Sequence, residues 1–116
     1  MMTDSGIDRE IFQGLREAVG EDFIGELVEA FLEEGAQFVA ALEEGLADHD
    51  INLFRRAAHS LKSNAATFGA MKLSRLSKEL EEVARQGQLE GVAEKLGPIF
   101  EAYSIAEREL KELNNG

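Results

Sequence analysis

The stretch FRRAAHSLKSNAATFGA, residues 54–70, decides the fold of this chain of 116 residues. Its apolar residues recur at steps of four, three, four and three, which is the period of an α-helix with one buried face. His59 lies one residue, about 100°, away from that face, so its imidazole is predicted to reach water. Arg55 and Lys62 flank it, and Ser63 and Ala66 are small neighbours on the same side. The buried stripe consists of Phe54, Ala58, Leu61, Ala65 and Phe68.

Amphipathic segments with short connections make up the rest of the chain. Asp8 and Asp50 are predicted N-terminal caps, and Gly69 is a predicted C-terminal cap. Pro98 is expected to kink the last helix or to fray its first part. Adjacent helices joined by short connections run antiparallel, so we predict an all-α, up-down-up-down four-helix bundle with a short first helix covering one end. The predicted helices span 9–19, 21–47, 51–68, 70–86 and 89–113.

The predicted second helix contains three glycines, Gly25, Gly35 and Gly45. Each costs a helix up to about 1 kcal/mol relative to alanine. They allow either close packing of a neighbour or a local bend, and the sequence does not choose between the two.

Length and composition indicate one cytoplasmic domain over residues 1–116, with frayed ends at 1–7 and 114–116. The chain is 44% hydrophobic and 30% charged and has no cysteine, which fits a folded protein in a reducing compartment. No apolar run approaches the roughly 20 residues needed to cross a bilayer, and the polar, acidic start does not resemble a signal peptide. The start at Met1 favours a free-standing protein.

The net charge of −11 argues against nucleic acid as a partner, because phosphate backbones need lysine and arginine. The charge is uneven: residues 55–85 carry seven basic and three acidic side chains, so this segment is positive and the rest strongly negative. The segment is either a set of solvated helix faces or a local positive field around His59, and the positions of Arg55 and Lys62 favour the second interpretation.

Patterns for other chemistries are missing from the sequence. The scattered glycines form no phosphate-binding loop, neither HExxH nor Glu-x-x-His occurs, and no serine has a recognisable triad context. His49, between two aspartates, is predicted to be an ordinary surface residue. We therefore expect no metal site and no cofactor.

The run from Ala58 to Leu73 has a more specific pattern. His59-x-Leu-Lys-Ser-Asn-Ala-Ala-x-Phe-Gly-Ala-x-x-Leu73 resembles the signature of histidine-containing phosphotransfer (HPt) domains, four-helix-bundle modules of two-component phosphorelays. The spacing matches closely within this motif. The rest of the chain agrees only in length and helical pattern.

The resemblance implies that His59 is a phosphoacceptor that takes a phosphoryl group from a receiver aspartate or a histidine kinase and passes it to another receiver. A neutral imidazole has a nucleophilic lone pair and needs no base to activate it. Lys62 resembles the family's lysine near the phosphate, and Arg55 would assist. Glu81 stands where the family often has Gln or Glu bonded to the second ring nitrogen. Glu81 is equally consistent with a solvated glutamate.

Two sets of residues are candidates for contact with a partner. Ser63 replaces the glycine that many family members have after the lysine, and with Ala66 it would leave room for a receiver. Apolar residues near the first helix would dock the receiver or belong to the core, and we favour the core. The apolar set is Ile7, Ile11, Phe23 and Ile24.

The resemblance therefore implies a phosphorelay intermediate and not a kinase, since the chain is too short to hold an ATP-binding domain. One alternative is a non-phosphorylated helical adaptor that docks on a signalling partner. Another is a module that a kinase phosphorylates directly. The expected partners are receiver domains and a histidine kinase, with no nucleic acid, no membrane and a monomeric state.

Overall fold

The computed structural model describes residues 6–115, which form five helices and no strand. Helices α2 to α5 form the predicted four-helix bundle, in which α3 packs between α2 and α4. Helix α5 contacts α2 and α4 but not α3 within the described residues, so α3 and α5 lie on opposite corners. Helix α1 packs on α2 and α3 at one end of the bundle. The bounds are α1 Arg9–Val19, α2 Glu21–Ala47, α3 Ile51–Phe68, α4 Met71–Arg85 and α5 Ala93–Asn115.

The predicted caps are present and explain where α1 begins and where α3 begins and ends. The Asp8 side chain accepts hydrogen bonds from two backbone N–H groups of the first turn of α1. Asp50 accepts one from Leu53. Gly69 ends α3 at φ +87°, a left-handed conformation that glycine adopts without strain. The backbone N–H of Ala70 then donates to the carbonyl of Ala65 at 2.8 Å.

The predicted bounds of the last two helices need correction. Helix α4 is one residue shorter at each end than expected, and α5 begins at Ala93 instead of residue 89. Gly87 and Gly91 both have positive φ, +78° and +77°, and the chain turns there before the helix starts. Helix α5 then runs through Pro98 without interruption.

Residues near both ends of the described range make defined contacts, although the sequence predicts fraying at 1–7 and 114–116. The N–H groups of Gly6 and Ile7 donate to the Glu109 carboxylate at 2.8 and 3.1 Å, and Ile7 is buried. These contacts argue against fraying of these two residues, whereas residues 1–5 lie outside the described range. At the other end α5 continues through Asn115, and Nη2 of Arg16 donates to the carbonyl of Leu113 at 2.9 Å. Residue 116 is also outside the description.

The core contains the entire predicted stripe of α3, from Phe54 to Phe68. Of the two roles expected for the glycines of α2, two of them have the first: they allow close packing of a neighbouring element. A Cβ on Gly35 would lie 2.6 Å from a ring carbon of Tyr103, and one on Gly45 would lie 2.9 Å from the backbone nitrogen of Phe54. The described helices include none that is long and apolar enough to cross a membrane.

Candidate functional site

His59 lies near the middle of α3, and its side chain is 59% exposed. The sequence prediction that the ring reaches water is correct. His59 lines a shallow surface depression together with Arg55, Arg56, Ser60, Glu81 and Arg85. The depression is therefore built by α3 and α4. His49, in contrast, is exposed in the turn between α2 and α3.

The floor of the site is a buried carboxylate. Glu81 of α4 is only 4% exposed, yet it lies against three groups that can donate to it. Its Oε2 is 2.8 Å from Nδ1 of His59, and its Oε1 accepts a hydrogen bond from Nζ of Lys62 at 2.7 Å. Nη2 of Arg85 lies 3.6 Å from the same Oε2. The two carboxylate oxygens are thus divided between the imidazole and the lysine.

The hydrogen bond to Glu81 assigns the tautomer of the neutral imidazole. An ionised carboxylate accepts hydrogen bonds and donates none, so Nδ1 must carry the proton and donate it to Oε2. The lone pair of the neutral ring is consequently on Nε2. The site presents a nucleophilic nitrogen with a fixed ring orientation.

The surroundings of Glu81 favour its ionised form. The hydrogen bond from Lys62 is the largest influence and lowers the pKa of Glu81 below its ordinary value. Burial acts in the opposite direction, while the hydrogen bond from His59 and the charges of both partners lower the pKa further. The net direction is downward, so Glu81 is a carboxylate at neutral pH.

Small residues bring α4 close enough to α3 for these contacts. Ser74 donates from Oγ to the backbone carbonyl of Lys62 at 3.0 Å, which ties α4 to α3 at the residue that also binds Glu81. Ser77 is fully buried one turn before Glu81. Larger side chains at these two positions would separate the helices and draw the carboxylate away from the ring.

The structure brings together three of the four residues predicted for chemistry. His59, Lys62 and Glu81 share one hydrogen-bonded cluster, and this geometry decides between the two interpretations of Glu81. Arg55 is exposed, lines the depression and makes no ion pair within residues 6–115. Arg85 was not predicted as a site residue, although an arginine four residues after a glutamate lies on the same face of a helix.

The residues predicted to contact a partner separate into exposed and buried ones. Ser63 is exposed and Ala66 is partly exposed on α3. Ile11 and Phe23 are 37% and 48% exposed, contrary to the preference for the core. The docking role of Ile24 is wrong, because its side chain is 3% exposed and packs in the core.

Two further observations concern the apolar set. Ile7 belongs to the core, as favoured. Met71, at the start of α4, is 43% exposed and was not identified from the sequence. It follows the turn at Gly69, where an added Cβ would lie 3.2 Å from Cβ of Ile11.

Comparison with known proteins agrees with this architecture. Histidine-containing phosphotransfer protein B (HptB) from Pseudomonas aeruginosa PAO1 is similar to this chain in structure, with a TM-score of 0.90 and 26% identity over 97% of both chains. The HPT domain of a sensor hybrid histidine kinase from Shewanella has a TM-score of 0.78 at 14% identity, covering 94% of this chain and 93% of its own, and supports the fold alone.

Sequence relatives point the same way. Phosphorelay protein LuxU of Vibrio harveyi is 26% identical over 89 residues, covering 77% of this chain and 78% of the relative. LuxU of Vibrio cholerae is 31% identical over 75 residues, covering 65% of this chain and 66% of the relative. The model of the Hpt domain family matches residues 26–115. The chain belongs to the Hpt domain family.

Proposed function

We propose that His59 is the residue that carries the phosphoryl group of this histidine phosphotransfer protein. One observation supports this most directly: the ring is 59% exposed, while its Nδ1 is held 2.8 Å from the Glu81 carboxylate. The ring is thus fixed from below and open to a partner from above. Nε2, the nitrogen with the lone pair, is the proposed point of attachment.

In the proposed reaction this chain contributes the nucleophile, Nε2 of His59. The lone pair of Nε2 attacks the phosphorus of an aspartyl phosphate on a receiver domain, and the P–O bond breaks with its electron pair going to the aspartate carboxylate. The reverse step passes the phosphoryl group to the next receiver. Hpt proteins are phosphotransfer intermediates and not ATP-using enzymes, so activation of the phosphoryl group falls to the partner.

Three cations are placed to offset the charge of a phosphoryl group on His59. Arg55 and Arg85 line the same depression and are exposed. Arg55 makes no ion pair within residues 6–115, and Arg85 would exchange its contacts with Glu81 and Glu82 for phosphoryl oxygens. Lys62 is bound to Glu81 at 2.7 Å, and its side chain is 28% exposed. Its ammonium group would bind phosphoryl oxygens either by leaving Glu81 or by donating to Glu81 and to the phosphoryl group at the same time, since it has three N–H donors.

We also propose where a receiver docks. Ser63 and Ala66 follow His59 along α3 at helical spacing and add little bulk beside the ring. Exposed Ile11 and Phe23 would extend this contact, because transient signalling interfaces use a modest apolar patch. We further propose that the protein is a cytoplasmic monomer whose partners are receiver domains and a histidine kinase.

The proposal is tested by incubating the protein with receiver domains that carry radiolabelled aspartyl phosphate. The label should appear on this chain as an acid-labile, base-stable phosphate, and His59→Gln should abolish it. His49→Gln is the matched control, because it removes the other histidine and should leave labelling intact. Labelling that survives in His59→Gln would refute the assignment. Partner binding and signalling that survive in an unlabelled His59→Ala protein would instead favour the adaptor function.

A further inference from the structure

The residue beneath His59 is a carboxylate, although a neutral amide would also fix the ring. Either group can accept the hydrogen bond from Nδ1–H and orient the imidazole. Only the carboxylate brings a negative charge to 2.8 Å from the ring. The two groups would therefore differ once the ring itself becomes charged, which happens when Nε2 is phosphorylated.

We propose that Glu81 holds the proton on Nδ1 of phosphorylated His59 and thereby keeps the phosphoryl group ready to leave. This inference rests on the proposed function, because it concerns the same ring after it has taken up a phosphoryl group. It assigns to Glu81 a control over the lifetime of the phosphorylated state, in addition to its orientation of the ring.

The proton on Nδ1 determines how easily the phosphoryl group leaves Nε2. When Nε2 of the Nδ1–H tautomer attacks phosphorus, the N–P bond forms, and the ring becomes an N-phosphoryl imidazolium with one positive charge. When the phosphoryl group leaves for water or a carboxylate, the N–P bond breaks and its electron pair returns to Nε2. With the proton present, the leaving group is a neutral imidazole. Without it, the leaving group is an imidazolate anion, which is a far poorer one.

The charges around the ring decide whether the proton stays. On α4, the negative charge of Glu81 attracts the ring proton. The positive charge of Arg85, whose Nη2 lies 3.6 Å from Oε2 of Glu81, acts in the opposite direction. On α3, Lys62 binds the other oxygen, and Arg55 and Arg56 line the depression. No residue of α1, α2 or α5 in the described part of the chain lines the depression. Glu81 is the one anion among these groups, and it alone touches Nδ1.

The two carboxylate oxygens of Glu81 have different partners. Oε1 is bound to Lys62, while Oε2 faces the imidazole. The lysine therefore keeps the carboxylate ionised without occupying the oxygen that holds the ring proton. The burial of Glu81 also excludes water, so the interaction with an imidazolium is less screened than it would be on an open surface.

The experiment compares the wild-type protein with Glu81→Gln after both have been phosphorylated with potassium phosphoramidate, a small donor that needs no partner protein. Loss of the phosphoryl group to water is followed by phosphorus NMR from about pH 6 to about pH 9. In both proteins the rate should fall as the ring loses its proton. In Glu81→Gln the fall should occur at a pH lower by about one unit, because an anion close to a cationic group shifts its titration by that order.

Above both transitions the variant should therefore lose its phosphoryl group about tenfold more slowly than the wild type. Glu82→Gln is the matched control, since it makes the same change at the next residue, whose exposed carboxylate contacts Arg85 but not His59. Its profile should follow that of the wild type. Superimposable profiles for the wild type and Glu81→Gln would overturn the inference.

A second measurement does not depend on how the variant folds. Nitrogen-15 NMR of the phosphorylated wild-type protein, labelled at histidine, reports directly whether Nδ1 is protonated at each pH. The proton should persist to higher pH than in free phosphohistidine in the same buffer. Loss at the same pH would overturn the inference, whereas failure of phosphoramidate to label His59 at all would instead count against the proposed function.

Discussion

Replacement of Ser63 by tryptophan should abolish phosphotransfer while the fold stays intact. Ser63 is exposed on α3, four residues after His59, so the Cβ atoms of the two residues are about 5–6 Å apart. Side chains on a helix point toward its N-terminus. An indole at position 63 would therefore lean over the imidazole, between Nε2 and an approaching receiver.

The structure allows the size of both effects to be worked out. The attacking nitrogen and the phosphorus must approach to about 3–3.5 Å, and a misplacement of about 1 Å can cost a hundredfold in rate. An indole over the ring displaces the partner by more than that, so transfer should fall at least about 100-fold. Ser63 makes no core contact that the larger side chain would disrupt, and Ser and Trp have similar helix propensities, so the stability should change by no more than about 0.5 kcal/mol.

The assay measures the initial rate of label transfer from a phosphorylated receiver, together with thermal unfolding followed by circular dichroism. Ser104→Trp is the control, because it makes the same substitution at an exposed position on α5, which does not contact α3 in the described residues. It should transfer at the wild-type rate. Transfer by Ser63→Trp at that rate would refute the docking geometry, and an unfolded Ser63→Trp protein would refute the assignment of Ser63 to a free surface.

Three further predictions concern stability. Gly35→Ala should lower the free energy of unfolding in urea by about 1–2 kcal/mol, because the overpacking of its Cβ against Tyr103 at 2.6 Å exceeds the gain in helix propensity; an unchanged midpoint would contradict the close packing. Gly69→Ala should lower it by about 1–2 kcal/mol, since alanine is strained at φ +87°, and retention of wild-type stability would argue against the left-handed cap. Because the pKa of Glu81 is lower in the folded state, its contribution to stability is present above the unfolded pKa and is lost as the pH falls through the folded value. Melting temperatures measured down to acidic pH should therefore decline less steeply in Glu81→Gln than in the wild type, and parallel declines would exclude this linkage.

Local signals explain how much of the fold the sequence predicts. The bounds of α3 depend on Asp50, Gly69 and a stripe of apolar residues, all of which act within one or two turns, and they were predicted to the residue. The start of α5 was predicted four residues too early because the turn at Gly91 was not recognised from the sequence. A positive φ at such a glycine depends on where the next helix packs, and apolar spacing does not reveal it.

The candidate site shows the same limit at longer range. His59 and Lys62 share one helix, so their common face follows from the helical period. Glu81 belongs to another helix, and the choice between Glu81 and Glu82 requires the rotation of α4 about its own axis. The structure turns Glu81 inward and leaves Glu82 exposed. Ile24 and Phe23 present the same difficulty, because apolar character alone does not say which of two adjacent residues faces the core.

The burial of Glu81 is difficult to explain by stability. The partners of Glu81 more than offset the loss of water around its charge, as the lowered pKa indicates. Apolar residues of similar size would nevertheless pack α3 against α4 at least as well. The cluster also leaves its histidine largely in solvent, where an ion pair gains little. The position of the charge is better explained by what it does to the ring. Glu81, which Lys62 keeps ionised, holds the proton on Nδ1 of His59. Nε2 is therefore the nucleophilic nitrogen of the neutral ring. Under the proposed function, the α3–α4 contact prepares Nε2 of His59 for phosphorylation, and a receiver domain supplies the other reacting groups.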